Sequence, residues 1–161
     1  MEYLLLFIEY HIVRKGRVIK NIAIPVIIWL LVYFHSSHTY QDINTYCSNA
    51  TNILGILIGF SISVFAILLS LENDNIREAK NKTIKAKLYS KPVSLYEALL
   101  VDFAYIIFVQ GLLLITNIFL PLFIDASRTF FATDTAVIVY VIVLILQCVL
   151  DMYLILTKKH K

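Results

Sequence analysis

Two acidic residues stand inside stretches of the chain that are otherwise strongly apolar. Asp102 comes about seven residues after the start of one stretch, and Asp151 comes about six residues before the end of another. An ionisable side chain inside a membrane costs roughly 2.5–3.5 kcal/mol on insertion scales, so each acid needs compensation. No Arg or Lys lies at a matching depth in any apolar stretch. The sequence therefore predicts that water, protonation or neutral hydrogen bonds offset the two charges, rather than a salt bridge.

The two stretches that carry these acids each present one polar face when drawn as helices of 3.6 residues per turn. The faces consist of Asp102, Gln110 and Asn117 in one stretch and of Tyr140, Gln147 and Asp151 in the other. A water-filled path with acids on its wall favours cations over anions, so these six side chains are candidate pore residues. The alternative is that they hydrogen-bond across helices and simply hold the bundle together.

An earlier apolar stretch has small residues that recur on one face. This small-residue stripe consists of Gly55, Gly59, Ser63, Ala66 and Ser70. Small side chains allow a second helix to approach closely, which favours a packing seam. The alternative is a face that lines a narrow pathway or an oligomer axis, and both hold if the chain forms a homo-oligomeric bundle.

Four long apolar stretches carry these patterns and predict an all-α membrane protein. The predicted spans are residues 18–34, 52–71, 95–120 and 135–156. Since 60% of the 161 residues are hydrophobic, little remains for a soluble core, and we expect a single integral membrane domain. All Lys and Arg except Arg128 lie before or at the start of the first span, between the second and third, or after the fourth. By the positive-inside rule, both termini are cytoplasmic and four transmembrane helices cross the bilayer.

The segment 1–17 has its apolar residues ahead of its basic cluster, which is the reverse of a signal peptide. We expect this segment to stay attached and to form a short helix in the membrane interface. The alternative is that it extends the first span. Pro25, near the start of that span, predicts a kink or a missing backbone hydrogen bond.

The loop 72–94 is the one sizeable polar connection on the predicted cytoplasmic side. Its first part can prolong the second helix, and Ser94 is placed to cap the third. The basic residues of the loop are Arg77, Lys80, Lys82, Lys85, Lys87 and Lys91. They suit contact with anionic lipid headgroups or, alternatively, the docking of a cytoplasmic partner protein.

Several classes of function are disfavoured by what the sequence lacks. It has no HExxH, no glycine-rich phosphate loop and no nucleophile elbow, so we do not expect an enzyme. The net charge of +3 gives no reason to expect a nucleic-acid partner, since the basic loops suit anionic headgroups. His35 and His38 beside a membrane interface are more often solvated than ligating, so we expect neither a metal site nor a cofactor.

Four segments of the chain carry a family resemblance. They are the small-residue segment 52–63, the charged segment 75–80, the acid-bearing third span and the ending 152–158. In these segments the chain resembles the small four-span membrane proteins of bacterial phage-defence systems, among them RexB-like proteins and the membrane component of Kiwa defence. The resemblance implies a location in the bacterial inner membrane, a role in antiphage defence and a cytoplasmic defence partner.

Two hypotheses of function follow from the residues and the resemblance together. A RexB-like protein would be an oligomeric, gated ion path that collapses the membrane potential of an infected cell. A Kiwa-like protein would be a non-conducting sensor or anchor that detects envelope disturbance and recruits a soluble effector through the loop 72–94. The intramembrane acids and the small-residue stripe suit conduction, whereas the basic loop suits docking, so both hypotheses stay open at this point.

Overall fold

The computed structural model describes residues 2–35, 43–88, 91–123 and 127–157, with side chains throughout except at 2–7, 15–20, 88 and 120. In chain order the elements are α1 (Glu2–His35), α2 (Ile43–Ser70), α3 (Asp74–Asn81), β1 (Thr83–Leu88), β2 (Lys91–Ser94), α4 (Leu95–Phe119) and α5 (Arg128–Leu156). A 3₁₀ turn, Leu120–Leu122, follows α4. His38 and the basic residues after Thr157 lie outside the described residues.

Three of these helices, α2, α4 and α5, are long and apolar enough to cross a membrane. Many of their large apolar side chains face outward, as a lipid-facing surface requires; Ile56 is 74% exposed and Leu146 is 59% exposed. The apolar part of α1, Asn21–His35, is shorter than the other three helices. The chain is therefore a mostly helical membrane protein.

The described helices pack around α4. Helix α1 lies mainly against α5, α2 lies mainly against α4, and α4 also contacts α5. The end of α2, the start of α4 and the end of α5 meet at one end of the bundle, where α3 and the two strands also lie. We call this the hairpin end, and the opposite end, where α2 and α5 begin, the far end. Leu68, Leu99 and Phe103 are fully buried in the core near the hairpin end.

Helix α1 is interrupted at Arg14 rather than at Pro25. Arg14 has φ −118° and ψ 20°, which lie outside the helical region, whereas Pro25 lies within regular helix. The helix thus begins at Glu2 and continues across this break into the first predicted span. The break re-aims the chain so that Tyr10, Val13 and Arg14 are all buried against the bundle. The segment 1–17 therefore packs onto the other helices through these three residues.

The loop between α2 and α4 contains a separate short helix instead of a prolonged α2. Asn73 has an extended backbone, and its side-chain oxygen accepts a hydrogen bond from the backbone N–H of Ile76 at 2.9 Å. This N-cap starts α3 three residues after α2 has ended at Ser70, because a capping residue satisfies the free N–H groups of a new helix. The expectation that α2 continues into the loop is wrong for this reason.

The same loop holds a two-stranded antiparallel β-hairpin, with strands at 83–88 and 91–94, which the all-α prediction did not include in this mostly helical chain. Thr83 is paired with Ser94 and Lys87 with Pro92. Along β1 the exposed residues Thr83, Lys85 and Lys87 alternate with the partly buried Ile84 and Ala86, which is the period of a half-buried strand. The predicted cap of α4 is confirmed: Ser94 Oγ accepts from Glu97 N, and Glu97 Oε2 accepts from Ser94 N, as in a capping box.

Candidate functional site

A buried ion pair joins α1 to α4 near the hairpin end. Arg14 Nε lies 3.0 and 2.9 Å from the two carboxylate oxygens of Asp102, and Arg14 Nη2 lies 2.5 Å from Asp102 Oδ2. The same Nη2 lies 3.3 Å from Oδ2 of Asp151 on α5. The side chains of Arg14 and Asp102 are only 9% and 5% exposed. One guanidinium therefore connects three helices in a region that water screens little.

This geometry corrects the expectation that no basic residue reaches the two acids. Arg14 belongs to the basic cluster ahead of the first span, and it reaches their depth only because α1 breaks and folds onto α4. An arginine side chain keeps its charge in proteins, and the guanidinium of Arg14 is paired here with the carboxylates of Asp102 and Asp151. Arg14 therefore stays charged, and Asp102 is bound to it rather than open to a water-filled path in this state.

A small cavity lies beside the ion pair. Its volume is about 10 Å³, and a cavity of this size holds about one water molecule. It is lined by Tyr10, Arg14, Asp102, Ile106, Leu144, Gln147 and Cys148. Tyr10 also stacks on Tyr105 of α4, with ring centroids 3.9 Å apart and planes 2° apart. Aromatic and aliphatic packing thus surrounds the ion pair and leaves space for a single water, not for a column of ions.

Two amide side chains pair with each other about one turn of α5 further from the hairpin end. Asn21 Nδ2 donates to Gln147 Oε1 at 2.7 Å, and Gln147 Nε2 donates to Asn21 Oδ1 at 2.6 Å. This reciprocal pair connects α1 with α5 and satisfies a donor and an acceptor on each side chain. Gln147, a candidate pore residue, thus takes part in a helix-to-helix contact here.

A second buried acid lies at the far end. Asp134, on α5, is 5% exposed. Tyr46 Oη donates to Asp134 Oδ2 at 3.0 Å, and Asn117 Nδ2 donates to Asp134 Oδ1 at 3.0 Å. Tyr46 Oη also lies 2.8 Å from Thr135 Oγ1. Helices α2, α4 and α5 therefore meet at Asp134, which the sequence analysis places one residue outside the last span and does not single out.

Between Asp102 near the hairpin end and Asp134 at the far end, several buried polar atoms have no hydrogen-bond partner in the described part of the chain. They are both amide atoms of Gln110, the hydroxyl of Ser61 and the carbonyl oxygen of Asn117. Gln110 and Ser61 are both fully buried, and Asn117 is 2% exposed. Leaving such a group unpaired in an apolar interior costs about 1–3 kcal/mol, so this arrangement raises the free energy of the described state.

The six candidate pore residues therefore do not line one continuous surface. Arg14 brings Asp102 and Asp151 together, Gln147 pairs with Asn21, Asn117 contacts Asp134, Gln110 is unpaired and Tyr140 packs against the core. They are nevertheless all in the interior or at its edge, since Asp102, Gln110 and Asn117 are at most 4% exposed. Helix-to-helix contacts provide hydrogen bonds for most of these polar groups, but the amide of Gln110, in the middle of α4, has none among the described residues.

The small-residue stripe faces away from the other described helices. A Cβ atom added to Gly55 or Gly59 would meet no atom within 4 Å, and Ser63 and Ser70 are exposed. The buried face of α2 carries instead Cys47, Ala50, Leu54, Ser61, Val64 and Leu68. The stripe therefore forms no packing seam within the described chain, and its role at an oligomer seam stays a prediction.

The predicted docking residues lie on the surface at the hairpin end. All six basic side chains from Arg77 to Lys91 are exposed. Arg77 Nη2 lies 3.2 Å from Asp74 Oδ1, and Lys80 Nζ lies 5.0 Å from the ring centre of Tyr96. Lys85 and Lys87 project from the exposed face of β1. These side chains can contact a headgroup or a protein without any rearrangement of the core.

The residues that the sequence analysis misses are Arg14, Asn21, Tyr46, Ser61 and Asp134. For Asp134 a signal exists, because two helices joined by a short turn are antiparallel neighbours. Asn117 lies in the last turn of α4 and Asp134 lies in the second turn of α5, so antiparallel packing is expected to bring them near each other. For Arg14 the signal is only indirect, since 88 positions separate it from Asp102.

Comparisons of the chain with family models, with curated proteins and with solved structures found no match.

Proposed function

We propose that this chain is a gated, ion-permeable membrane effector without enzymatic activity, and that the described structure is its closed state. In this proposal α1, α2, α4 and α5 all cross the bacterial inner membrane, with the hairpin end and both termini in the cytoplasm. Antiphage defence, acting with a cytoplasmic partner, is the setting that the family resemblance suggests. A homo-oligomer is part of the proposal, with the small-residue stripe at its seam.

The observation that carries the proposal is the contact of Arg14 with Asp102 and Asp151. Ionisable residues at membrane depth are rare, and they mark ion pathways more often than simple packing contacts. Arg14 neutralises Asp102 and leaves space for only about one water molecule beside it, so cations are excluded while it stays bound. Withdrawal of α1 would leave two carboxylates exposed at the same depth, which would attract cations into the bundle.

The hairpin end is built so that a partner bound there can act on this contact. Val13, next to Arg14, packs in one cluster with Val93 and Ala98. Asn75 of α3 donates to the backbone oxygen of Leu156 at the end of α5, at 2.5 Å. A protein that pulls on the hairpin would therefore act on α1, and one that pulls on α3 would act on α5; these two helices carry Arg14 and Asp151, which contact each other.

Ion flux through purified protein in liposomes tests the proposal. Arg14→Gln should increase potassium efflux at least tenfold over wild type, because the acids lose their neutralising partner. Adding Asp102→Asn and Asp151→Asn to that variant should reduce the efflux again. Arg77→Gln, an exposed arginine on α3, serves as the matched control and should behave like wild type. Absence of efflux from folded, reconstituted Arg14→Gln protein would contradict the proposal.

A second candidate function is a non-conducting sensor or anchor that recruits a soluble effector. The exposed lysines of the hairpin favour it, because they offer a positive surface to an acidic partner without disturbing the core. Replacing Lys82, Lys85 and Lys87 by Glu should release a partner that co-purifies with the wild-type chain. Undiminished co-purification would argue against docking at this surface. Intact membrane potential during effective defence would favour the sensor over the channel.

A further inference from the structure

The unpaired polar atoms in the interior lie on one ridge of α4, together with the acid of the ion pair. Asp102, Ile106 and Gln110 follow one another at intervals of four residues, so they are stacked on one side of the helix about 6 Å apart. Asn117 comes seven residues after Gln110 and falls on nearly the same side. All four residues are at most 4% exposed. A buried ridge of three polar residues and one isoleucine thus runs along most of α4.

The part of this ridge toward the far end is polar, but several of its side-chain atoms lack hydrogen-bond partners. Asn117 contacts Asp134 through Nδ2, while its Oδ1 and both amide atoms of Gln110 have no partner among the described residues. Side chains of a helix tilt toward its N-terminus, so the amide of Asn117 leans toward Gln110 and that of Gln110 leans toward Ile106. Asp134, Asn117 and Gln110 therefore mark a string of polar groups that water would satisfy.

Ser61 of α2 supplies a further unpaired group in the interior. It lies on the buried face of α2, seven residues from Leu54 and seven from Leu68. Leu54 clusters with Leu113 of α4, and the backbone oxygen of Leu68 accepts a hydrogen bond from Tyr96 Oη. Because α2 and α4 run antiparallel, Ser61 falls midway between these two contacts, near the level of residues 104–105 of α4 and within about a turn of Ile106.

Ile106 separates this string from the cavity beside the ion pair. Ile106 is fully buried and is one of the residues that line that cavity of about 10 Å³. Gln110 lies one turn beyond it on the same ridge. Ile106 and Leu144, which both line the cavity and belong to the core cluster, therefore lie between Gln110 and the ion pair. Apolar constrictions of this kind close a pathway because water leaves them.

We propose that the ion path runs within one chain along this ridge of α4, with Ile106 as its hydrophobic gate. Cations would pass Asp134 and Asn117, then Gln110, then the opened constriction at Ile106 with Ser61 beside it, and finally Asp102 and Asp151. The unpaired amide of Gln110 belongs to the closed, dry state, and water satisfies it when the gate opens. This inference rests on the proposed function, since it states where the proposed conduction takes place.

Polar substitution of the gate provides the test. Ile106→Asn, or the milder Ile106→Thr if the first variant does not give monodisperse protein, should increase potassium efflux from loaded liposomes at least tenfold. Ile115→Asn is the matched control, because Ile115 lies on the same helix but is 54% exposed on the outside. It should leave the efflux at the wild-type rate. Ile106→Leu should also remain closed.

A second variant follows the polar string itself. Gln110→Leu should reduce the efflux of the Arg14→Gln variant at least tenfold, and in the otherwise wild-type chain it should raise the melting temperature by removing an unpaired buried amide. The path lies elsewhere if Arg14→Gln conducts but the efflux of Ile106→Asn equals that of Ile115→Asn. The same conclusion follows if Gln110→Leu leaves the efflux of the Arg14→Gln variant unchanged. In both cases the proposed function stands. If none of the folded variants conducts, both proposals are wrong.

Discussion

Arg14 and Asp102 are 88 positions apart, and two nitrogen atoms of the arginine contact the carboxylate of the aspartate inside the bundle. The pair joins the break in α1 to the first turns of α4, and Asp151 of α5 lies 3.3 Å from the same guanidinium. Substituting only one partner of this contact should destabilise the protein, because the other partner would remain as a buried charge without compensation. The consequences for stability and conduction are therefore specific to each residue.

Removing Arg14 should destabilise the protein strongly. Arg14→Leu leaves Asp102 buried without its cation, and the expected loss is on the order of 3 kcal/mol in the free energy of unfolding. The double change Arg14→Leu with Asp102→Leu should recover most of this loss, because no unpaired charge remains. Thermal denaturation in detergent measures both, and a double variant no better than the single one would contradict the interpretation.

Asp102 should contribute more to the stability of the protein than Asp151. Asp102→Asn should lower the melting temperature more than Asp151→Asn, because Asp102 has three contacts with Arg14 and a less exposed side chain, 5% against 14%. The expected difference is about 1.5–3 kcal/mol, the usual range for a hydrogen bond to a charged group. Equal melting temperatures for the two variants would show that Arg14 does not discriminate between them.

The amide pair of Asn21 and Gln147 should behave as a coupled unit. Either Asn21→Leu or Gln147→Leu leaves one buried amide unpaired, with an expected cost of about 1–2 kcal/mol. The double variant should lose less than the sum of the two single changes, since the unpaired groups disappear together. A thermodynamic cycle over the four proteins gives the coupling energy directly. Strict additivity would mean that the two amides do not interact.

The hydroxyl of Tyr46 should stabilise the far end. Tyr46→Phe removes the donor to Asp134 Oδ2 but preserves the ring, which packs edge-on against Phe131 with centroids 4.8 Å apart. We expect a loss of about 1–2 kcal/mol, because a buried carboxylate oxygen loses its hydrogen bond. Tyr33→Phe, whose ring stacks on Trp29, is a control that should leave the melting temperature nearly unchanged. A similar loss of stability in both variants would show that the hydrogen bond of Tyr46 with Asp134 has no specific stabilising effect.

A substitution in the small-residue stripe can distinguish packing within the chain from assembly between chains. Gly59→Leu should leave the melting temperature of the monomer in dilute detergent almost unchanged, because a Cβ there meets nothing within 4 Å. If the stripe is an oligomer seam, the same change should shift the protein toward monomers in light-scattering measurements. An unchanged oligomer mass would show that copies do not meet at Gly59.

The sequence by itself determined the elements that depend on neighbouring residues. Apolar stretches of sufficient length specify helices, because backbone groups in an apolar medium must bond within their own segment, and α4 runs from Leu95 to Phe119 close to the predicted 95–120. The capping of α4 by Ser94 and Glu97 is equally local. Even the burial of Asp102, Gln110 and Asn117 follows from their spacing on one helix face.

Only the tertiary structure decided which polar groups meet. Arg14 reaches Asp102 because α1 breaks and packs onto α4 and α5, and Asn21 finds Gln147 through the same packing; neither contact has a local signal in sequence. The hairpin also escaped prediction, because its half-buried strand needs the surface of Val13 and Ala98 to cover Ile84. Pairing in a membrane bundle depends on helix neighbours and rotations, and these are set by contacts across the whole chain.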